Sequence, residues 1–185
     1  MADEELTEDA TTDEPAVEET PAEPERELPQ QALLAAIIEP HESATWQVAA
    51  DEWVVTVSAE EYHSLTAAAQ ASGFETFIDL CGVDYFRADP RFEVVLTLLN
   101  YAEPMRLRIR TGVAGPEPSL ASITDIYAGA NFYEREAYDL FGIDFPGHPD
   151  LTRILMPDDW EGYPLRKDYA VGSVPIQFKD AHKVQ

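Results

Sequence analysis

The stretch Met105-Arg106-Leu107-Arg108-Ile109-Arg110-Thr111 alternates apolar and basic side chains at every step. Successive side chains of a strand point to opposite faces, so this pattern predicts a half-buried strand. Met105, Leu107 and Ile109 face a core; Arg106, Arg108 and Arg110 form an outer basic row. Just upstream, residues 92–101 are nearly continuous apolar and read as a neighbouring strand. Residues 100–104 then make a hairpin connection. Residues 74–86 supply a third strand, broken near Gly82, and residues 53–57 a fourth, rich in β-branched side chains. Helices flank these strands. Residues 30–38 carry Leu33, Leu34, Ile37 and Ile38 on one side. Ser58 and Glu61 are spaced as a capping box for a helix through Tyr62, Leu65 and Ala69 that stops at Gly73. Residues 119–127 look helical. Asn131 and Glu134 repeat the capping spacing for a last helix ending at Gly142. Strands cluster without βαβαβ alternation, which predicts an α+β fold: a mixed or antiparallel sheet with helices packed on it.

Outside this body the composition changes. Residues 1–30 hold 12 acids and one base, Arg26, among Thr, Ala and Pro. Such a segment has little to bury against its ordering entropy, so residues 1–28 are expected to be a disordered acidic arm. It is either a solubilising tail or a binder of a basic partner. Residues 29–142 form the core domain. Residues 143–185, rich in Pro, Gly and charge, are expected to be an extended tail that clasps partners or wraps its own domain.

The 185 residues contain 36 acids and 12 bases, a formal net charge of −24. A nucleic-acid surface and an anionic membrane both require the opposite sign. The longest apolar run, residues 32–38, is far below the roughly 20 needed to span a bilayer, and no secretory signal is visible. The single cysteine, Cys81, excludes an internal disulfide and a thiolate cluster, and is expected to be an inert core thiol. Spaced glycines of a nucleotide loop are absent. His41, His63, His148 and His182 are scattered, without metal-ligand spacing.

The last helix concentrates the carboxylates. A helical wheel puts Phe132, Tyr133, Ala137, Leu140 and Phe141 on its apolar arc, with Glu136 inside it. Glu134, Arg135 and Asp139 fall outside the centre, and Arg135 and Asp139, four apart, can pair. A buried Glu136 needs a partner. It is read either as an ion pair with Arg153 or Arg166, or as a catalytic acid with His148. Downstream, residues 157–164 read as a turn with two adjacent acids, Asp158 and Asp159, and Trp160, Tyr163 and Tyr169 with Arg166 are residue types that anchor interfaces.

Residues 122–126 (Ser-Ile-Thr-Asp-Ile) and 131–143 (Asn-Phe-Tyr-Glu-Arg-Glu-Ala-Tyr-Asp-Leu-Phe-Gly-Ile) open a longer pattern. It continues through Gly147-His148-Pro149-Asp150-Leu151, Arg153-Ile154-Leu155-Met156-Pro157-Asp158-Asp159-Trp160-Glu161-Gly162 and Pro164-Leu165-Arg166-Lys167-Asp168-Tyr169. Together these resemble the signature of the thirty-kilodalton subunit of respiratory complex I, which in bacteria is the NADH–quinone oxidoreductase. The resemblance covers residues 122–169; residues 29–121 share only the general layout. The family usually has Trp at 132, His at 163 and Pro at 170, where this chain has Phe, Tyr and Ala.

The resemblance implies an α+β subunit with no catalytic residue, cofactor or metal of its own. It would sit in the peripheral arm of a proton-translocating complex, on the cytoplasmic side of the cell membrane. FMN, iron–sulfur clusters and quinone would lie in partner subunits, and its contacts would be those of the cluster-bearing and quinone-site chains. The expected structural or interface residues are Glu134, Arg135, Glu136, Asp139, Gly142, His148, Arg153, Asp158, Asp159, Trp160, Arg166, Lys167, Asp168 and Tyr169. The related subunit of a membrane-bound hydrogenase or a deazaflavin-dependent dehydrogenase shares the motif at 134–142 and is the alternative.

Overall fold

The alternating stretch lies at the centre of the sheet. In a computed structural model describing residues 27–50 and 52–169, it forms β5 (Met105–Val113), whose burial alternates along its length. It pairs antiparallel with β4 (Phe92–Asn100) and parallel with β2 (Glu52–Val57). β1 (Thr45–Ala49) and β3 (Thr76–Asp84) lie at the two edges, giving the order β1-β2-β5-β4-β3. The parallel contact arises because α2 (Tyr62–Ala71) and the β3–β4 hairpin intervene between β2 and β5. Leu107 and Ile109 lie opposite Leu98 and Leu96, and all four are fully buried. The arginines line the other face, opposite Leu99, Thr97 and Val95.

The helices complete the core. α1 (Ala32–Ile38) buries Leu34, Ile37 and Ile38; α2 buries Tyr62, Leu65 and Ala69. These side chains join those of the sheet in one apolar cluster. Each fully buried large apolar side chain stabilises the fold by roughly 1.5–3 kcal/mol. α2 ends at Gly73, whose φ of +97° is costly for any residue with a Cβ. α3 (Ala130–Phe141) packs beside β3, with Tyr133 edge-on to Phe77 at 5.1 Å.

The α+β architecture expected from the sequence is present, with local differences. β1 is an addition; its burial is too slight to leave a period in the sequence. β3 runs unbroken through Gly82, which gives passage to α3: a Cβ there would meet the Phe141 ring at 2.9 Å. Neither capping box forms. Glu61 instead accepts the Glu42 and Ser43 N–H groups, and Asn131 lies inside α3 rather than before it. Residues 119–127 are not a helix. They run as an extended arm, with Leu120 N–H donating to Asp144 O and Ser122 N–H to Pro146 O, and then a turn. Cys81 is exposed on edge strand β3, not in the core. Residues 1–26 of the expected acidic arm and residues 170–185 of the expected tail lie outside the described residues.

Candidate functional site

The junction between α3 and the chain that follows it concentrates the charged residues of the motif. α3 turns its Ala130, Glu134 and Ala137 row inward, the four-and-three spacing of one helical face. The face therefore differs from the expected arc. Phe132 is 60% exposed, while Glu134 and Asp139 are completely buried. Glu136 is exposed and pairs with neither Arg153 nor Arg166. The wheel fails because it weighs side chains by polarity alone, whereas remote segments bring donors to Glu134 and Asp139.

Asp139 is the hub. Its Oδ2 accepts the backbone N–H groups of Ile154, Leu155 and Met156 at 3.0, 2.8 and 2.9 Å. Its Oδ1 takes Arg153 Nη1 at 2.6 Å. Burial pushes the Asp139 carboxyl up, but the Met156 N–H, the Arg153 guanidinium and the other two N–H groups outweigh it and hold it below the usual range. Arg135 does not pair with Asp139. It donates to the carbonyls of Thr152 and Arg153 and to Thr152 Oγ1. Residues 152–156 are thereby tied to α3 by both signs of charge, and Leu155 is left 61% exposed.

A second layer fixes the end of α3. Gly142, at φ +70°, closes the helix, and a Cβ there would lie 2.5 Å from the Tyr163 ring. Arg166 Nε donates to Phe141 O, and its guanidinium lies between the rings of Tyr163 and Phe92, at 4.5 and 5.1 Å. Arg153 approaches the Tyr163 ring at 5.5 Å and donates to the carbonyls of Trp160 and Gly162. Trp160 stacks on Tyr169, whose hydroxyl donates to Glu161 O.

The last described turn is anchored on the sheet. Asp84, at the end of β3, accepts Arg91 through both oxygens and also the Lys167 and Phe86 N–H groups. Arg91 in turn grips both oxygens of Asp168. The Arg91 hydrogen bonds hold the Asp84 carboxyl well below its usual range despite its burial. Sequence reasoning misses Asp84 and Arg91, because their tail partners, Lys167 and Asp168, lie 83 and 77 residues away and no local pattern announces them.

Glu134 is a different buried acid. Its oxygens accept the Ile123 N–H and the Ser122 hydroxyl, both at 2.7 Å, which pins the 122–123 arm over α3. Burial raises its pKa, and those two donors only partly oppose the rise. His148 sits near Glu134: its Nδ1 accepts the Asp150 N–H, so Nε2 carries the proton and donates to Asn131 O. The ring is thus engaged on both sides by backbone groups, and no hydrogen bond or ion pair joins His148 to Glu136 among the described residues. Asp158 and Asp159 are exposed on a turn. Among the described residues, no three His, Cys, Asp or Glu side chains converge where a metal could bind.

Known proteins share this layout. The family described as "Respiratory-chain NADH dehydrogenase, 30 Kd subunit" matches residues 55–174. An NADH-quinone oxidoreductase subunit of Roseiflexus castenholzii is 53% identical over 100 residues, which cover 54% of this chain and 58% of that protein. Subunit 5 of the same-named enzyme of Thermus thermophilus is 42% identical over 141 residues, 71% of this chain and 68% of that one. The matched stretch thus spans less than two thirds of the Roseiflexus relative. A trypsin-resistant fragment of Nqo5 superposes with a TM-score of 0.55 at 34% identity, covering 58% of this chain and 89% of the fragment. A chain of an archaeal membrane-bound sulfane sulfur reductase shares the fold with a TM-score of 0.66 at 22% identity, covering 80% of this chain and 94% of its own. The relatives bear the NADH–quinone name, which does not favour the hydrogenase or deazaflavin alternative. The chain belongs to the family of the thirty-kilodalton subunit of respiratory-chain NADH dehydrogenase.

Proposed function

We propose that this chain is a peripheral-arm subunit of an NADH–quinone oxidoreductase and acts there as a scaffold, not as a reaction centre. FMN, iron–sulfur clusters and the quinone belong, in this reading, to partner subunits on the cytoplasmic side of the membrane. The observation that supports it best is Asp139. A fully buried carboxylate in the family motif has its lone pairs occupied by Arg153 and three consecutive N–H groups. That geometry holds a loop in place; it offers no proton or nucleophile to a substrate. Ile154 and Leu155 in this loop, and Leu165 beside the end of α3, are exposed apolar side chains. Such groups suit contact with other polypeptides. The division at about residue 143 serves the same role: the core is the platform, and the segment beyond it presents the contacting groups. No helix among the described residues is long and apolar enough to cross a membrane, so attachment is peripheral in this reading.

The test is recovery of the tagged full chain from detergent-solubilised membranes. Co-purifying subunits with flavin and iron–sulfur absorbance, and NADH-dependent quinone reduction in the eluate, are expected. The isolated chain is expected to be colourless and inactive. Recovery without those subunits, or NADH oxidation by the chain alone, would refute the proposal.

A further inference from the structure

Among the described residues, the helices cover one face of the sheet only: their buried side chains join Leu96, Leu98, Leu107 and Ile109 in the core cluster. The opposite face carries Arg106, Arg108 and Arg110 along its middle strand. In register beside them stand Gln47 and Val54 on one side, Val95 and Cys81 on the other. A shallow groove of about 260 Å³ lies on this face, lined by Val54, Val83 and Val95 together with Arg108 and Arg110. Arg110 holds both oxygens of Glu93. Arg106 and Arg108 are less engaged: they share the single carboxylate of Glu52, Arg106 through Nη1 and Arg108 through Nη2. A guanidinium has five N–H donors, so both keep donors for further oxygens. Their side chains are 53% and 39% exposed. Asp79, another acid of this face, lies out at the β3 edge, so the shared carboxylate leaves a local surplus of positive charge. The junction arginines are instead occupied, Arg91 and Arg153 by carboxylates, Arg135 and Arg166 by backbone carbonyls.

We propose that the chain's own acidic arm, residues 1–26, docks across this face, with its carboxylates on the spare donors of Arg106 and Arg108. The inference concerns the chain by itself and does not rest on the scaffold reading. Four features select that occupant. The first is charge: residues 1–26 hold eleven acids and one base, Arg26, so a chain of net charge −24 repels them except at such a surplus. The second is the point of attachment. Glu27 O accepts the Trp46 indole N–H at 2.7 Å, so the arm joins the body at edge strand β1, which borders the arginine face. The third is reach. Rounding the β1 edge and crossing two strands to β5 takes roughly 20 Å, from a sheet layer of about 10 Å and strand spacings of about 4.8 Å. Nine extended residues, from Glu27 back to Glu18, span about 30 Å. The fourth is side-chain type: Val17-Glu18-Glu19 sets one branched aliphatic group beside two acids, and the groove sets valines beside arginines. The tether holds the arm at an effective concentration on the order of millimolar. An acidic segment of any other polypeptide gains this face only by displacing it.

Cys81 is the only cysteine in the chain, is exposed, and stands on this face two strands from Arg110, so it can report on the arm. A nitroxide on Cys81 of the full, isotope-labelled chain broadens the NMR amide signals of whatever lies over the face. At low salt, the paramagnetic broadening of residues 3–25 is expected to be strong. It should fall at least threefold in 1 M salt, where screening acts within about 3 Å. The same fall is expected in R106S/R108S, and when the eleven arm acids are changed to Gln or Asn. Broadening within the sheet and the circular dichroism should stay unchanged throughout. The salt titration needs no variant, so the proposal stays exposed to refutation if a variant misfolds. Arm signals without broadening at low salt would overturn it. So would broadening that survives both salt and R106S/R108S. Mixing isotope-labelled C81S chain with nitroxide-bearing unlabelled chain should give no arm broadening; if it does, the arm of a second copy is the occupant and the proposal fails. None of these outcomes alters which subunits co-purify with the chain, so the scaffold reading stands or falls separately.

Discussion

Two regions of this molecule use the same chemistry, arginine against carboxylate, in opposite settings. On the open face of the sheet, Arg106 and Arg108 share Glu52, and Arg110 pairs with Glu93. At the α3–tail junction, Arg153 meets Asp139 and Arg91 meets Asp84, with both carboxylates wholly buried. Water competes for the first set and screens it. The second set is enclosed by backbone donors and aromatic rings. An ion pair's weight therefore follows from what would be left unsatisfied if one partner were removed.

The largest effect should accordingly follow Asp139→Ala. It strands Arg153 and three N–H groups at once. A loss of about 3–5 kcal/mol is expected from denaturant unfolding of the full chain. Replacing both partners, Asp139→Leu with Arg153→Met, should recover only part of that loss. The pair is then gone, but the N–H groups of 154–156 remain without an acceptor. Complete recovery would mean that those three bonds contribute nothing, and the contrast between the regions would collapse to charge alone.

Gly142→Ala comes next. It forces a Cβ into a left-handed position, at roughly 1–2 kcal/mol, and into the Tyr163 ring. A total of about 2–3 kcal/mol is expected, allowing for the ring to shift. If Gly142→Ala were neutral in unfolding experiments, the tail would not be seated against the end of α3.

These two positions also mark where sequence reasoning reaches and where it stops. Gly142 is legible, since a glycine after a periodic segment is a local signal. The β5 alternation is legible for the same reason, and it correctly sets the arginine row outward. The burial of Asp139 and Glu134 is not legible. Their donors come from 153–156 and 122–123, and no helical wheel contains them. The extended run at 119–127 reads as helix because its ladder partners, Asp144 and Pro146, lie beyond α3. The tail residues emerge as a set from family resemblance, but their pairing with Asp84 and Arg91 needs three dimensions.

Glu134→Gln sharpens the comparison by pH. Glu134 has a folded pKa above its ordinary 4.5. Its protonation thus adds stability that is fully present below about pH 4.5 and is lost as pH rises through the folded value. Asp84 and Asp139, with lowered pKa values, behave oppositely: their contribution is present above the ordinary 3.8 and is lost as pH falls through their folded values. Gln keeps an acceptor for Ile123 N–H, so the change at pH 7 should stay within about 1 kcal/mol. The wild-type chain should gain on the variant between pH 7 and pH 4.5. A constant difference across that window would show that Glu134 does not titrate in a dry site.

The smallest effect belongs to Arg106→Ala. Its side chain is 53% exposed, and Glu52 keeps Arg108 when it is removed. A loss of about 0.2–1 kcal/mol is expected at low salt. It should shrink toward zero in 1 M salt, where screening acts within about 3 Å. The Asp139→Ala loss should persist there, because enclosed charges are screened far less. Parallel salt titrations of the two variants thus test the contrast directly: if both losses fade together, the junction is as wet as the sheet face, and burial is not what distinguishes them.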